Sequence, residues 1–390
     1  MRTCTVSHSY CVRANRGLPR ALAAEALAGD VVTVVGPRRF RGDLRWIDFE
    51  GELPAQKTLL GERYQSRAIG TLFSPWIHVM RYGRGLYPIL RDHQDIVHAW
   101  EEPYIWSGHQ IAKRTPRSAA FIFSTFQNLQ KRFPPPFSWF ERGVVERCDG
   151  WIAFGKTVEE TMLRRPGYDS RPHRVIPPGI DTGFYTREAS AGARICRSLN
   201  WPEDSVPVVG FLGRFIPEKG LRFLTSVLER IQDPWRAVFV GGGPEEGFLR
   251  EWSAAQQGRA RVVTGVPHDA VPAYLSVMDI LCAPSETTVR WREQFGRMIV
   301  EAQSCGVCVV GSDSGEIPHT IGDGGVVLPE GNHAAWHEAL VGLLHNSTAR
   351  GELAEKGRAR AVKCFDWSVV ARAHLDFFRA VMIGRRSRSR

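Results

Sequence analysis

No run in this chain approaches the roughly 18–20 consecutive apolar residues of a membrane-spanning helix. The opening Met1-Arg2-Thr3-Cys4-Thr5-Val6 turns polar within a few residues and lacks the apolar stretch and small-residue cleavage site of a secretory signal. Both absences point to a cytoplasmic location. The eight cysteines are scattered through 390 residues. The one CxxC, Cys305 and Cys308, has no second pair near it, whereas a zinc site wants four ligands at recognisable spacing. Two small buried residues flanking a turn account for it, and free thiols fit a reducing compartment, so no metal is expected. Neither Gly36-Pro37 nor Gly241-Gly242-Gly243-Pro244 supplies a GxGxxG between first strand and helix, which argues against a dinucleotide-dependent oxidoreductase. There is no known nucleic-acid-binding motif and no internal repeat of short period.

What is present is an ordinary globular composition, 43% hydrophobic and 24% charged, in a chain too long for one core and suited to two domains. The net charge is +10, distributed unevenly. Residues 1–190 hold 27 Lys and Arg against 19 Asp and Glu, a surplus of +8; the rest carries +2, and four of its cations are the tail residues Arg385, Arg386, Arg388 and Arg390. Such a field attracts an anionic substrate, lipid surface or nucleic acid. With no motif for the last, the expectation is an anionic substrate and peripheral contact with an anionic inner membrane face. Arg38, Arg39, Arg41 and Arg45, interleaved with Phe40 and Trp46, form the candidate patch.

Both halves alternate apolar strands with helical patterns, as in parallel sheets with crossover helices. In the first half the pattern predicts a helix over 21–27 and strands over 31–35, 95–99, 119–125 and 150–154. The stretch 38–87, with aromatics and arginines but no period, reads as long loops. In the second half it predicts strands over 206–212, 237–240, 261–264, 280–283, 307–311 and 325–328. Helices are expected over 221–231, 296–304, 334–344, 350–364 and 367–382. The prolines and glycines of Val175-Ile176-Pro177-Pro178-Gly179-Ile180-Asp181-Thr182-Gly183-Phe184 mark a boundary. The expected organisation is residues 1–178, 179–365, a helix over 366–384 and a basic tail over 385–390.

Two motifs carry chemistry. Gly213-Arg214…Lys219-Gly220 follows the apolar Val208-Val209-Gly210-Phe211-Leu212. Gly213 permits a sharp turn, and Arg214 and Lys219 offer a guanidinium fork and a point charge for phosphate oxygens at a strand end, where open α/β sheets bind ligands. Downstream, Glu293-Gln294-Phe295-Gly296 opens a helix whose free N–H groups and dipole favour a pyrophosphate. Glu293 precedes that helix and suits sugar hydroxyls. Glu301 lies about two turns in, at ~1.5 Å per residue, and suits a ribose. Together they describe a pocket for a sugar on a diphosphate.

These motifs, with Gly241-Gly242-Gly243-Pro244, Thr264-Gly265-Val266, Ala283-Pro284-Ser285, Cys305-Gly306, Val309-Val310-Gly311-Ser312 and Gly315-Glu316-Ile317-Pro318, resemble in order and spacing the family 4 (group 1) glycosyltransferases over roughly residues 175–370. The resemblance implies the GT-B fold: two Rossmann-like α/β/α domains facing a central cleft, the N-terminal one binding acceptor, the C-terminal one the donor, and a C-terminal helix returning to the N-terminal domain. It implies retaining transfer of a hexosyl-type group from a UDP-, GDP- or ADP-sugar to a glycan, lipid-linked or small-molecule acceptor, with no cofactor required. Arg214 and Lys219 would hold the diphosphate, Glu301 the ribose and Glu293 the donor sugar. Phe295 and Gly296 would present backbone, and Gly265 and Val266 would lie near the base.

The first half resembles the family more loosely. Asn15-Arg16-Gly17-Leu18 matches its first loop with one glycine of the usual two. Asp95-Ile96-Val97-His98-Ala99 matches the strand that ends in His. Where many members place an active-site His, this chain has Ser124-Thr125-Phe126-Gln127-Asn128. Gly17, His98, Glu102 and Gln127 are the acceptor-side candidates, with His98 the remaining candidate for the catalytic His. Trp100-Glu101-Glu102-Pro103-Tyr104 with Gln127-Asn128 resembles a subgroup associated with surface polysaccharide assembly. A catalytically silent nucleotide-sugar-binding module is the alternative from another class.

Overall fold

The computed structural model describes residues 1–42, 46–202 and 204–388. The chain divides into two units: Met1–Gly179 with Trp367–Arg390, and Ile180–Asp366.

The strands of unit 1 are β1 (Arg2–Val6), β2 (Val31–Pro37), β3 (Arg39–Arg41), β4 (Trp46–Asp48), β5 (Tyr64–Ile69), β6 (Thr71–Leu72), β7 (Arg81–Tyr82), β8 (Ile96–Ala99), β9 (Ala120–Thr125), β10 (Gly150–Ala153) and β11 (His173–Val175). Seven form one sheet in the order β11-β10-β9-β8-β1-β2-β5, all pairs parallel. The interior strand β1 was not legible in the sequence. It reads Arg-Thr-Cys-Thr-Val, and four of its five residues are buried. Its Thr and Val are β-branched and fit a strand covered on both faces, but two threonines break the apolar run that announces one.

The segment 38–87, read as loops, contains the edge strand β5 and two antiparallel hairpins, β3–β4 and β6–β7. β5 is Tyr-Gln-Ser-Arg-Ala-Ile, only partly buried at the sheet edge, so it carries little hydrophobic signal. The first helix runs over Gly17–Ala24, four residues upstream of its expected start. Leu18 and Leu22, one turn apart, are its buried pair, whereas Leu27 is exposed.

The strands of unit 2 are β12 (Val208–Arg214), β13 (Arg236–Gly242), β14 (Ala260–Thr264), β15 (Ile280–Ala283), β16 (Cys308–Ser312) and β17 (Gly325–Leu328). They form a parallel sheet in the order β14-β13-β12-β15-β16-β17, with an apolar core on each face. The helix expected over 350–364 is α-helical from Ser347 to Arg360 and relaxes into a π turn at Ala361–Phe365. There Ile180 N–H donates to Phe365 O at 2.8 Å, and Thr182 Oγ1 to Asp366 at 2.5 Å.

Both sheets are parallel α/β with Rossmann-like crossovers. The last helix, Trp367–Arg388, belongs to unit 1. Val370, Leu375, Phe377, Phe378 and Val381 are buried in one core cluster with Leu18, Leu22, Ile122 and Ile152. Burial of each such side chain is worth ~1.5–3 kcal/mol. Trp367 explains two glycines of the sequence. A Cβ on Gly17 would lie 2.2 Å from its indole, and one on Gly179 2.4 Å, so the ring is seated against bare backbone on two sides. Among the described residues no helix is long and apolar enough to cross a membrane.

Candidate active site

The site in unit 2 is built from the C-terminal ends of its central strands. β12 is apolar until Leu212, then gives Gly213 with φ +148° and Arg214. The next turn, Pro217–Lys219, closes on Gly220 in the left-handed region at φ +67°. A Cβ there would sit 1.9 Å from the Pro284 carbonyl, so only glycine lets this turn press against the end of β15. That approach carries the buried Lys219 to Glu293. Its ammonium is ion-paired with Glu293 Oε2, which also accepts from Ser285 Oγ at 3.0 Å. The Trp291 ring lies over the ammonium, 5.3 Å from centroid to Nζ, adding a cation–π attraction. The Glu293 backbone carbonyl accepts from Glu316 N–H at 3.1 Å, beside Gly315 at φ +56°, where a Cβ would come within 2.1 Å of that oxygen. Glu293 is thus fixed at both ends.

The second carboxylate is on the helix Arg297–Ser304, which starts directly after Gly296 at φ +75°. Glu301 Oε1 accepts from Tyr185 OH at 2.9 Å and from Arg297 Nε at 2.7 Å. Arg297 Nη2 donates to His268 Nε2 at 3.3 Å, and Tyr185 OH lies 3.2 Å from the same nitrogen. Burial first, then the neighbouring Arg297, holds His268 below its ordinary pKa, consistent with a neutral ring accepting at Nε2.

These elements enclose a pocket of about 300 Å³ lined by Gly213, Arg214, Lys219, Trp291, Glu293, Gln294, Arg297 and Glu301, among others. Its charged lining is three cations against two carboxylates. An anion is the natural complement of that surplus, and fixed carboxylates bonded from one side suit hydroxyl groups. Phe295 and Gly296 are adjacent in sequence but outside the lining. The Phe295 ring is buried against Phe365, and its carbonyl accepts from Thr320 Oγ1 at 2.7 Å. Gly265 and Val266 follow β14, also outside the lining, in the loop that brings His268 to Arg297. Among the described residues no group of three or more His, Cys, Asp and Glu side chains is placed to hold a metal. Cys305 and Cys308 are buried free thiols, each pushed up to about 12 by burial.

In unit 1 the loops after β1, β8 and β9 meet around two carboxylates. Buried Glu101 accepts from His8 N–H at 2.6 Å, from His8 Nδ1 at 2.8 Å and from Tyr82 OH at 3.0 Å. Burial alone would lower the His8 pKa, but Glu101 outweighs it and the net shift is upward. Glu102 accepts from Thr125 Oγ1 at 2.6 Å and Phe126 N–H at 2.8 Å. Burial nevertheless raises its pKa from 4.5 to about 7.

Of the other acceptor-side candidates, Gln127 stays beside Glu102, its N–H donating to Thr125 Oγ1 at 3.1 Å, while His98 and Gly17 lie in the core. His98 is 0% exposed. Its Nε2 is 2.7 Å from Ser124 Oγ and its Nδ1 3.4 Å from Thr5 Oγ1, and its ring meets His374 and Phe378 of the last helix. The expectation that His98 is catalytic is corrected here. Sealed in the core, with burial holding its pKa well below 6.5, it is a satisfied structural histidine. Gly17 is buried against Trp367, so packing is what requires its missing side chain. Gln127 is buried, and its amide donates to Leu129 O at 2.6 Å.

Residues 20–184 match the family profile described as Glycosyltransferase Family 4, and residues 197–360 match Glycosyl transferases group 1. The chain belongs to the group 1, family 4 glycosyltransferases. This glycosyltransferase is 27% identical over 297 residues to the alpha-maltose-1-phosphate synthase of Mycolicibacterium smegmatis, covering 72% of the chain and 73% of that relative. It spans 54–66% of the length of further relatives that are D-inositol 3-phosphate glycosyltransferases. Among solved structures it superposes on sucrose-phosphate synthase from Thermosynechococcus elongatus with a TM-score of 0.74 at 20% identity, over 98% of the chain and 100% of that structure. It also superposes on Anabaena HepE in complex with UDP-glucose, with a TM-score of 0.72 at 16% identity, over 97% and 100%. The fold is therefore GT-B.

In this glycosyltransferase the sequence reading missed Arg297 and Trp291 in the unit 2 pocket, Ser285 and Tyr185 bonded to its carboxylates and His268 bonded to Arg297, and His8 and Tyr82 in unit 1. Arg297 was findable: it stands four residues before Glu301 on one helix, the spacing of an ion pair. Tyr185 and His8 reach their carboxylates across 116 and 93 residues, and no local pattern marks such contacts.

Proposed function

We propose that this glycosyltransferase moves a sugar, with retention at the anomeric carbon, from a nucleotide-diphosphate sugar to a hydroxyl of a glycan, lipid-linked or small-molecule acceptor. The setting would be the assembly of a surface polysaccharide or other glycoconjugate. The observation that carries the reading is the unit 2 pocket, where Arg214, Lys219, Glu293 and Glu301 converge in a chain of this family. In the reaction the bond from the anomeric carbon to the diphosphate oxygen breaks, and its electron pair leaves with the diphosphate. Arg214 and Lys219 stabilise that charge, the usual source of the largest catalytic term. The acceptor oxygen attacks from the face the diphosphate leaves, and its proton passes to the departing diphosphate oxygen. Glu293 orients the donor sugar, and its pairing with Lys219 ties the sugar subsite to the phosphate subsite. Glu301 takes the ribose, and Gly265 and Val266 border the base.

The HepE complex with UDP-glucose makes UDP-sugars the first donors to try, with GDP- and ADP-sugars beside them. The relatives named for maltose-1-phosphate and inositol 3-phosphate recommend a phosphorylated sugar or polyol among the acceptors. The test is thermal stabilisation by each donor and free nucleotide, repeated with Glu301→Ala and Lys219→Ala. Stabilisation by one base series, lost in both variants, is expected. Indifference to every donor would remove the reading.

One observation favours a second reading. His98 is sealed in the core and the Gln127 amide is committed to Leu129, so neither supplies a base on the acceptor side. A silent nucleotide-sugar-binding module would show stabilisation by a donor with neither transfer nor release of the nucleotide diphosphate.

A further inference from the structure

The segment 38–87 is unlike the rest of unit 1. Its sequence has nine Lys and Arg against five Asp and Glu, and one of those acids, Glu52, is buried on Arg16. Its two hairpins are bound side by side, through Arg38 N–H to Ile69 O at 2.7 Å and Thr71 Oγ1 to Arg39 O at 3.4 Å. On the β6–β7 side is a pocket of about 430 Å³ whose lining contains Arg38, Arg84, Gly70, Gly83 and Leu72 and no carboxylate. Beside it the β6–β7 hairpin holds three large apolar side chains in water: Leu72 is 50% exposed, Phe73 49% and Trp76 64%. Phe73 stands at φ +59°, a backbone region that an aromatic residue rarely enters, with Arg81 5.7 Å from its ring centroid. On the other hairpin Trp46, 39% exposed, is flanked by Arg39 and Arg41 at 5.1 and 6.0 Å. Asp48 offsets Arg39 at 3.4 Å. Arg45, part of the patch expected from the sequence, lies outside the described residues.

A basic pocket free of carboxylates, rimmed by exposed tryptophan, phenylalanine and leucine, matches the chemistry of a bilayer surface. Phosphates take the arginines, and the amphipathic rings settle at headgroup depth. We propose that the two hairpins are a docking surface for an anionic lipid bilayer. Arg38 and Arg84 receive lipid phosphates, and Leu72, Phe73 and Trp76 enter the interface. The idea extends the reading of a lipid-linked acceptor, but its test needs neither donor nor acceptor, so the two stand or fall separately.

The experiment is flotation of the whole chain with vesicles of phosphatidylcholine and of phosphatidylcholine mixed equally with phosphatidylglycerol. Binding to the anionic vesicles alone is expected, weakening as salt rises. Arg38→Ala with Arg84→Ala should weaken it by about 25-fold, since each basic residue at such a surface contributes about fivefold. Trp76→Ala should weaken it several-fold. Arg38→Lys with Arg84→Lys should keep most of it, and unchanged thermal melts would show that the exposed substitutions leave the fold intact. Equal binding to both vesicle types, or undiminished binding by both alanine variants, would overturn the proposal. So would retention on DNA in the absence of vesicle binding.

Discussion

The two units use carboxylates in opposite ways. In unit 2 each carboxylate of the pocket is bonded to a cation, Glu293 to Lys219 and Glu301 to Arg297. In unit 1, Glu101 and Glu102 are neighbours, fed by His8, Tyr82, Thr125 and a backbone N–H, and the surroundings favour protonation of His8 and Glu102. The first arrangement holds charge of fixed sign where a diphosphate would leave. The second holds a carboxyl raised to about 7, Glu102, beside a histidine raised above its ordinary value, groups whose charge answers to pH. One fold has put a rigid electrostatic site on one sheet and an adjustable one on the other.

The comparison breaks most visibly if the ion pairs of unit 2 are dispensable. Lys219→Ala should strand Glu293 as a buried charge, which typically costs ~3–5 kcal/mol, and should lower turnover by about 10²–10³-fold. Steady-state rates with a purified donor check this, and a variant within a few-fold of the wild type would refute the site. Next in size is Trp367→Ala, expected to destabilise unit 1 by ~3–5 kcal/mol through the cavity left beside Gly17 and Gly179. Donor affinity, measured by calorimetry below the melting temperature, should survive. Loss of both together would show that the units are not separable in this way.

The contrast sharpens with pH. A carboxyl raised to about 7 when folded and near 4.5 when unfolded favours the folded state fully only below the lower value. That contribution is lost as pH rises through the higher one. His8, raised above 6.5, acts in the same direction and fades as pH passes its raised value. Stability of unit 1 should therefore fall as pH rises from about 4.5 to about 7, with the His8 share lost from 6.5 upward, and Glu102→Gln should flatten the first part of the decline. Parallel melting curves for wild type and variant across that range would contradict the assignment. The smallest effect expected is for Arg297→Ala. Loss of one donor to Glu301 at a half-exposed pair should weaken donor binding up to about tenfold, with Arg297→Lys recovering part of it, both read as the donor dissociation constant.

The same contrast explains what could be read from the residues alone. The motifs of unit 2 were legible because they lie on short segments with local rules: an apolar strand broken by Gly213, two cations within six residues of it, and two carboxylates eight residues apart across a helix start. The strands over 280–283 and 325–328 fall where the apolar runs place them. Unit 1 was less so. One interior strand is mostly threonine and arginine, the edge strand is polar, and the carboxylate cluster joins positions 8, 82 and 101. His98 was misread because a histidine at a strand end looks the same in sequence whether the strand end opens to solvent or, as here, is roofed by a helix some 270 residues later. Only the packing of His374 and Phe378 over it decides the matter.

That roof has a consequence for biosynthesis. The helix Trp367–Arg388 supplies five large side chains to the core of unit 1, yet the ribosome makes all of Ile180–Asp366 before it. Unit 2 is one uninterrupted stretch and needs nothing from the last helix to close. Unit 1, begun first, waits with the groove for Trp367 and the seat for Phe378 uncovered until the last helix arrives. The domain nearer the start of the chain is thus finished second, reversing the usual order of folding during synthesis. A chain cut just short of residue 367 would carry a complete unit 2 and an unfinished unit 1, its apolar surface open to chaperones.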